Sequence, residues 1–193
     1  MRTRSLLSWS SAGVTLLALV FAARSAEFEK ESFKVANGDR FSVQHPSGWK
    51  TEPNPAGGTP TGTFRLVDSE SASILLISAI PSKPGANLDS MDDLESLLIL
   101  GTKPMVRDSV EKKLSPLSFK SDHSYGVYVA LTDGRFMPPA VPPKGEYLHT
   151  ATFILNCSHR AVVATFLTNQ ERSASIDLSI MILKTLLLED EHK

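Results

Sequence analysis

Apolar and polar positions alternate at Phe33 and Val35, and again at Phe41 and Val43, on either side of Asn37-Gly38. A period of two marks a half-buried strand, and Asn-Gly readily takes the positive φ angles of a two-residue turn, so this stretch predicts a β-hairpin. His45-Pro46-Ser47-Gly48-Trp49 ends the second strand, because proline cannot donate to the ladder and glycine permits the bend. Trp49 is expected to cover one end of the core. Residues 63–68 and 73–80 predict a second strand pair, and Ile74-Leu75-Leu76-Ile77 is apolar enough for a central strand.

The period then changes. Ser90, with Asp93 three residues on, resembles a capping box, and Met91, Leu94, Leu97 and Leu98 recur at helical spacing until Gly101. Residues 106–114 carry Val106 and Val110 on one helical face, but Pro104 and Pro116 leave room only for a short element. Strands are predicted at residues 117–120 and 125–132, the latter (YGVYVALT) rich in aromatic and β-branched residues. A proline-rich excursion, FMPPAVPPKG, occupies residues 136–145. Residues 147–155 and 161–167 predict a hairpin joined around 156–160, and residues 173–188 place Ile176, Ile180, Leu183 and Leu187 on one face of a closing helix. Grouped strands with helices able to cover them predict an α+β domain built on an antiparallel sheet.

The first residues follow a different logic. Two early arginines precede the 12-residue apolar stretch at 12–23, which is followed by Arg24-Ser25-Ala26 and a charged segment. That order predicts a secretory signal peptide over residues 1–26, cut between 22 and 26, and a mature domain over 27–193. The stretch is shorter than the ~17–25 residues of a membrane-spanning helix, and no second long apolar run follows. Cys157 is the only cysteine, so no lipobox cysteine stands at the cleavage point and no intrachain disulfide can form. The expected location is secreted or periplasmic, with no stable membrane span after cleavage.

Composition narrows the function classes. The chain has 193 residues, 41% hydrophobic and 21% charged, with 20 Lys+Arg against 21 Asp+Glu. This is a globular composition, and a net charge of -1 lacks the broad basic field that nucleic-acid binding needs. Removing the leader takes three arginines and no acid, leaving 17 basic against 21 acidic residues. The glycine-rich segment at 53–62 lacks the Gly-Lys-Ser/Thr ending of a phosphate cradle.

The element order, the FSVQHPSGW segment at 41–49, a helix after the fourth strand, YGVYVALT at 125–132, a long hairpin and a closing helix resemble the PsbP-like α/β/α sandwich. That group includes photosystem II accessory proteins, bacterial DcrB-type periplasmic proteins and a Ran-binding import factor. The resemblance implies a central antiparallel β-sheet and a non-enzymatic accessory or binding role, and it carries over no residue roles. The proline excursion is where this chain departs from such relatives.

Few residues suggest chemistry. Cys157-Ser158-His159 brings a thiol and an imidazole close in sequence, and a thiol enzyme would need them in contact beside an oxyanion site. His45, His123, His149 and His159 are scattered without ligand spacing, so neither a metal nor another cofactor is expected. Asp92, Asp93 and Glu95 suit a helix N-terminus better than acid-base work. Asn156-Cys157-Ser158 matches the N-x-S glycosylation pattern. The expected function is binding of a protein partner or assistance to an envelope assembly. The proline segment, with Phe136, Met137 and Val141, is its candidate contact surface, since prolines lower the entropy cost of ordering. The alternative is a small-ligand or lipid-binding module with a cavity between the sheet and the helix at 173–188.

Overall fold

The computed structural model describes residues 27–34, 38–52, 63–68, 70, 72–80 and 88–189. The expected leader at 1–26, the segment at 53–62, Asn37 and the charged end of the tail at 190–193 lie outside the described residues. The order is β1 (Phe28–Lys34), β2 (Arg40–Pro46), β3 (Lys50–Glu52), β4 (Thr63–Asp68), β5 (Ser73–Ala79), α1 (Met91–Thr102), a 3-10 helix (Lys103–Asp108), β6 (Leu117–Lys120), β7 (Ser124–Thr132), a 3-10 turn (Gly134–Phe136), β8 (His149–Cys157), β9 (Arg160–Thr168), α2 (Arg172–Lys184) and β10 (Leu187–Glu189).

Seven strands form one antiparallel sheet in the order β3-β4-β5-β9-β8-β7-β6, and β1-β2-β10 form a second. Strand alternation decides the two faces of the larger sheet. Leu75, Ile77, Phe153, Leu155, Ala164 and Phe166 point to an inner face, where they join Phe41 and Val43 of the small sheet and Ile176, Ile182 and Leu183 of α2 in the main core. Val127, Val129 and Ile154 point to the outer face and meet Leu94 and Leu98 of α1. Helices therefore cover opposite faces of a central antiparallel sheet, as the α/β/α reading expects, with the small sheet sharing the layer of α2. Trp49 is buried and stacks on Phe166 at a centroid distance of 6.3 Å.

Three local expectations are corrected. The first hairpin exists, with Phe33 opposite Phe41 and Lys34 opposite Arg40, a register one residue out from that of a two-residue turn at Asn37-Gly38, which would set Lys34 opposite Phe41. Gly38 does take positive φ, at +92°. The tight turn instead joins β8 to β9, where only Ser158 and His159 intervene, at φ +50° and +64°. The closing helix is shorter than its periodicity suggests. The Thr185 hydroxyl donates to the Ile182 carbonyl (2.7 Å) and accepts from the Gln44 N–H (2.8 Å), ending α2 in favour of a local side-chain bond. Leu187–Glu189 then pairs with β2. A third strand, β3, was hidden because Lys50–Glu52 is exposed at a sheet edge and carries no apolar pattern.

Candidate functional site

The proline segment is held at both ends. Where β7 ends, the Asp133 carboxylate accepts from the Arg135 N–H at 2.9 Å, and the Arg135 guanidinium returns to it at 2.6 Å and reaches Glu146 at 3.5 Å. This pairing holds the Asp133 carboxyl below the usual carboxylate range, Arg135 being the main cause. Asp133 N–H donates to the Leu148 carbonyl (2.8 Å), and Leu148 N–H donates to the Asn169 side-chain oxygen (2.7 Å). The Asn169 amide then donates to the Glu146 carbonyl (3.2 Å). Between these clamps, Phe136 is half-buried with the Arg135 guanidinium 4.9 Å above its ring. Met137 is 45% exposed and Val141 82% exposed. Of the three candidate contact residues, two therefore face solvent, and Phe136 is half-buried.

The start of this segment meets the end of the 3-10 helix that follows α1. The Asp108 carbonyl lies 3.0 Å from where a Cβ on Gly134 would stand, and Ser109 bridges Asp133. A cleft of about 230 Å³ between them is lined by Met105, Asp108, Asp133, Arg135 and Thr150. It adjoins a cleft of about 430 Å³ that shares Met105 and Thr150 and runs beneath α1 over β8 and β9. This second cleft is the site that sequence reasoning missed. A cavity is expected between the sheet and the helix at 173–188; there Ile182, Leu183 and Leu186 are fully buried in the core and a cleft of about 230 Å³ is lined by Gln44, Thr185 and Leu187, whereas the α1 cleft lies on the opposite face of the large sheet. The signal for it was present in threonines at positions 150, 152 and 165, where a fully covered strand would carry aliphatic residues.

Cys157 and His159 are not brought together as a catalytic pair. Cys157 is buried in the main core and its thiol donates to the Leu186 carbonyl at 3.5 Å. Burial pushes the thiol pKa up, away from the thiolate that nucleophilic chemistry needs. The His159 side chain is 91% exposed and lies 3.7 Å from the Asp89 carboxylate. The side-chain nitrogen of Asn156, which glycosylation would use, donates to the Leu88 carbonyl (3.0 Å) and Asp89 (3.2 Å) in a residue 4% exposed.

His123 and His159 line a shared polar cleft of about 320 Å³ with Asp89 and Asp122. No group of three or more His, Cys, Asp or Glu side chains among the described residues is arranged to hold a metal ion. His149 lies at the other end of the sheet, its Nδ1 3.2 Å from the Thr132 hydroxyl. Burial and the nearby Arg172 charge lower its pKa. Glu111 ties this region to α2: it accepts from the Thr132 N–H (2.9 Å) and pairs with Arg172 (2.8 Å). No helix among the described residues is long and apolar enough to cross a membrane.

No family model matches the chain, and no curated protein matches it. In fold it is similar to the solution structure of cyanobacterial PsbP (CyanoP) from Synechocystis sp. PCC 6803, with a TM-score of 0.51 and 14% sequence identity over 95% of this chain and 99% of that one. The chain has a PsbP-like fold.

Proposed function

We propose that the chain is an exported, non-enzymatic accessory domain that binds a protein partner through residues 136–145. The observation that carries this reading is a segment clamped at both ends by Asp133, Arg135, Glu146 and Asn169 that holds Val141 82% exposed. An apolar side chain displayed on pre-ordered backbone loses little entropy on docking, which is the economy that recognition loops exploit. Met137 extends the same contact, with Phe136 half-buried beside Arg135. The leader pattern at 1–26 supports export. The fold similarity is consistent with an accessory role and names no partner.

The test is affinity capture and crosslinking from the native envelope, comparing wild type with Phe136→Ala/Met137→Ala. The expected result is one partner, captured by wild type and lost by the variant. Capture that is equal for both proteins, or nothing above background with wild type, overturns the assignment of this segment.

A further inference from the structure

Helix α1 covers only part of the outer face of the sheet. Leu94 and Leu98 pack on Val127, Val129 and Ile154. Leu97 and Val163 flank this cluster half-buried, and beyond them the described residues leave a 430 Å³ cleft between Leu97 on the helix and Val163 and Leu167 on the strand. This volume falls within the range of about 300–1,000 Å³ typical of small-molecule sites.

Two features separate this cleft from a merely unfinished core. The first is Gly101, in the last turn of α1. Glycine inside a helix is destabilising relative to alanine, yet a Cβ there would meet no described atom within 4 Å. Among the described residues no packing contact requires the glycine, and its effect is to widen the mouth of the cleft beside Met105. The second is the pair Thr152 and Thr165, directly opposite each other across β8 and β9 on the cleft floor. Neither hydroxyl bonds to a described residue, so both are available to a ligand.

Charge narrows the class of ligand. The described lining of the cleft is apolar, glycine or threonine, with no ionisable side chain. At the adjoining polar end, Arg135 is already paired with Asp133 and Asp108 with Arg107. No uncommitted cation among these residues could compensate a carboxylate or phosphate, and burying an uncompensated charge is costly.

We propose that the α1 cleft binds a neutral single-chain lipid, its chain lying along Leu97, Val163 and Leu167 and its ester or hydroxyl oxygen hydrogen-bonded to Thr152 and Thr165. The described lining of the cleft includes no residue of 136–145, and the proposal does not depend on the protein-partner reading.

The test uses the full chain with N-phenyl-1-naphthylamine as a fluorescent apolar probe, displaced by 1-monolauroylglycerol or by laurate at pH 8. Wild type takes up the probe and releases it to monolauroylglycerol, with laurate at least about tenfold weaker, a difference of ~1.4 kcal/mol. Gly101→Phe fills the mouth and lowers probe affinity at least about tenfold, whereas Phe136→Ala/Met137→Ala leaves it unchanged. Thr152→Val/Thr165→Val conserves volume and removes both hydroxyls. It keeps the probe and weakens monolauroylglycerol about tenfold, so it decides the matter if Gly101→Phe fails to fold. Absence of probe uptake, laurate competing as well as monolauroylglycerol, or threonine variants binding monolauroylglycerol like wild type overturns the proposal.

Discussion

Gly126 shows how much one residue decides in the centre of the sheet. It stands opposite Leu155, and a Cβ at this position would come within 2.6 Å of the Ile154 carbonyl oxygen and 2.7 Å of the Leu155 Cβ. Both obstacles belong to the neighbouring strand rather than to the end of a flexible side chain, so they cannot step aside. Gly126→Ala is expected to lose at least ~2 kcal/mol in denaturant unfolding through overpacking. A second single-residue expectation concerns Cys157. Its burial and its bond to Leu186 make it a core residue, so Cys157→Ser should lose about 1–3 kcal/mol of stability and leave partner capture intact. The sequence places Cys157 two residues from His159 but cannot reveal that the β8–β9 ladder buries one while positive φ at Ser158 and His159 carries the other into solvent. Proximity in sequence and contact in space part company at a tight turn.

At the scale of elements, the legible parts were those whose local chemistry and tertiary surroundings agree. Ser90 caps α1 by accepting from the Asp93 N–H at 3.1 Å, so Ser90→Ala should cost about 1 kcal/mol by thermal or chemical unfolding. β5 and β7 to β9 carry enough aromatic and β-branched residues to be read directly. α2 and β10 were not separable because Leu187 and Leu188 continue a helical period, and only Thr185 and the waiting edge of β2 divert the chain. The β8–β9 turn offers an engineering check. Both of its central residues occupy positive φ, the conformation favoured by Asn-Gly. Replacing Ser158-His159 with Asn-Gly is therefore expected to raise stability by about 0.5–1 kcal/mol, measured by the denaturation midpoint.

For the whole molecule, the layered fold was readable from strand grouping and helix placement, whereas the cleft left only an indirect mark in the threonines at 150, 152 and 165, because its shape depends on how α1 lies over β8 and β9. Stability should depend on pH in two windows. The carboxyls of Asp133, Glu111 and Glu171 all lie below their ordinary range. Arg135 lowers Asp133. At Glu111, burial pushes upward but is outweighed by the Thr132 N–H and Arg172; the N–H groups of Ala174 and Ser173 lower Glu171. Groups with depressed folded values stabilise above their unfolded pKa, so this contribution is lost as pH falls below about 4. His149 is lowered by burial first and Arg172 second, from an ordinary value of 6.5. The unfolded chain then binds its proton first, and stability declines as pH drops below about 6.5. Thermal melts from pH 8 to 5 should lose that slope in His149→Gln, and an unchanged slope would assign it elsewhere.

The role of the clamped segment can be measured most directly by placing a photo-crosslinking amino acid at Val141 of the full chain in its own host, with Leu117 as the comparison. Both side chains are exposed and apolar, Leu117 at 57%, but Leu117 lies on the edge strand β6. A discrete crosslinked product from position 141, absent from position 117 and abolished by Met137→Asp, is the expected result. Equal products from both positions, or none from 141 while 117 yields one, would contradict the proposed docking surface.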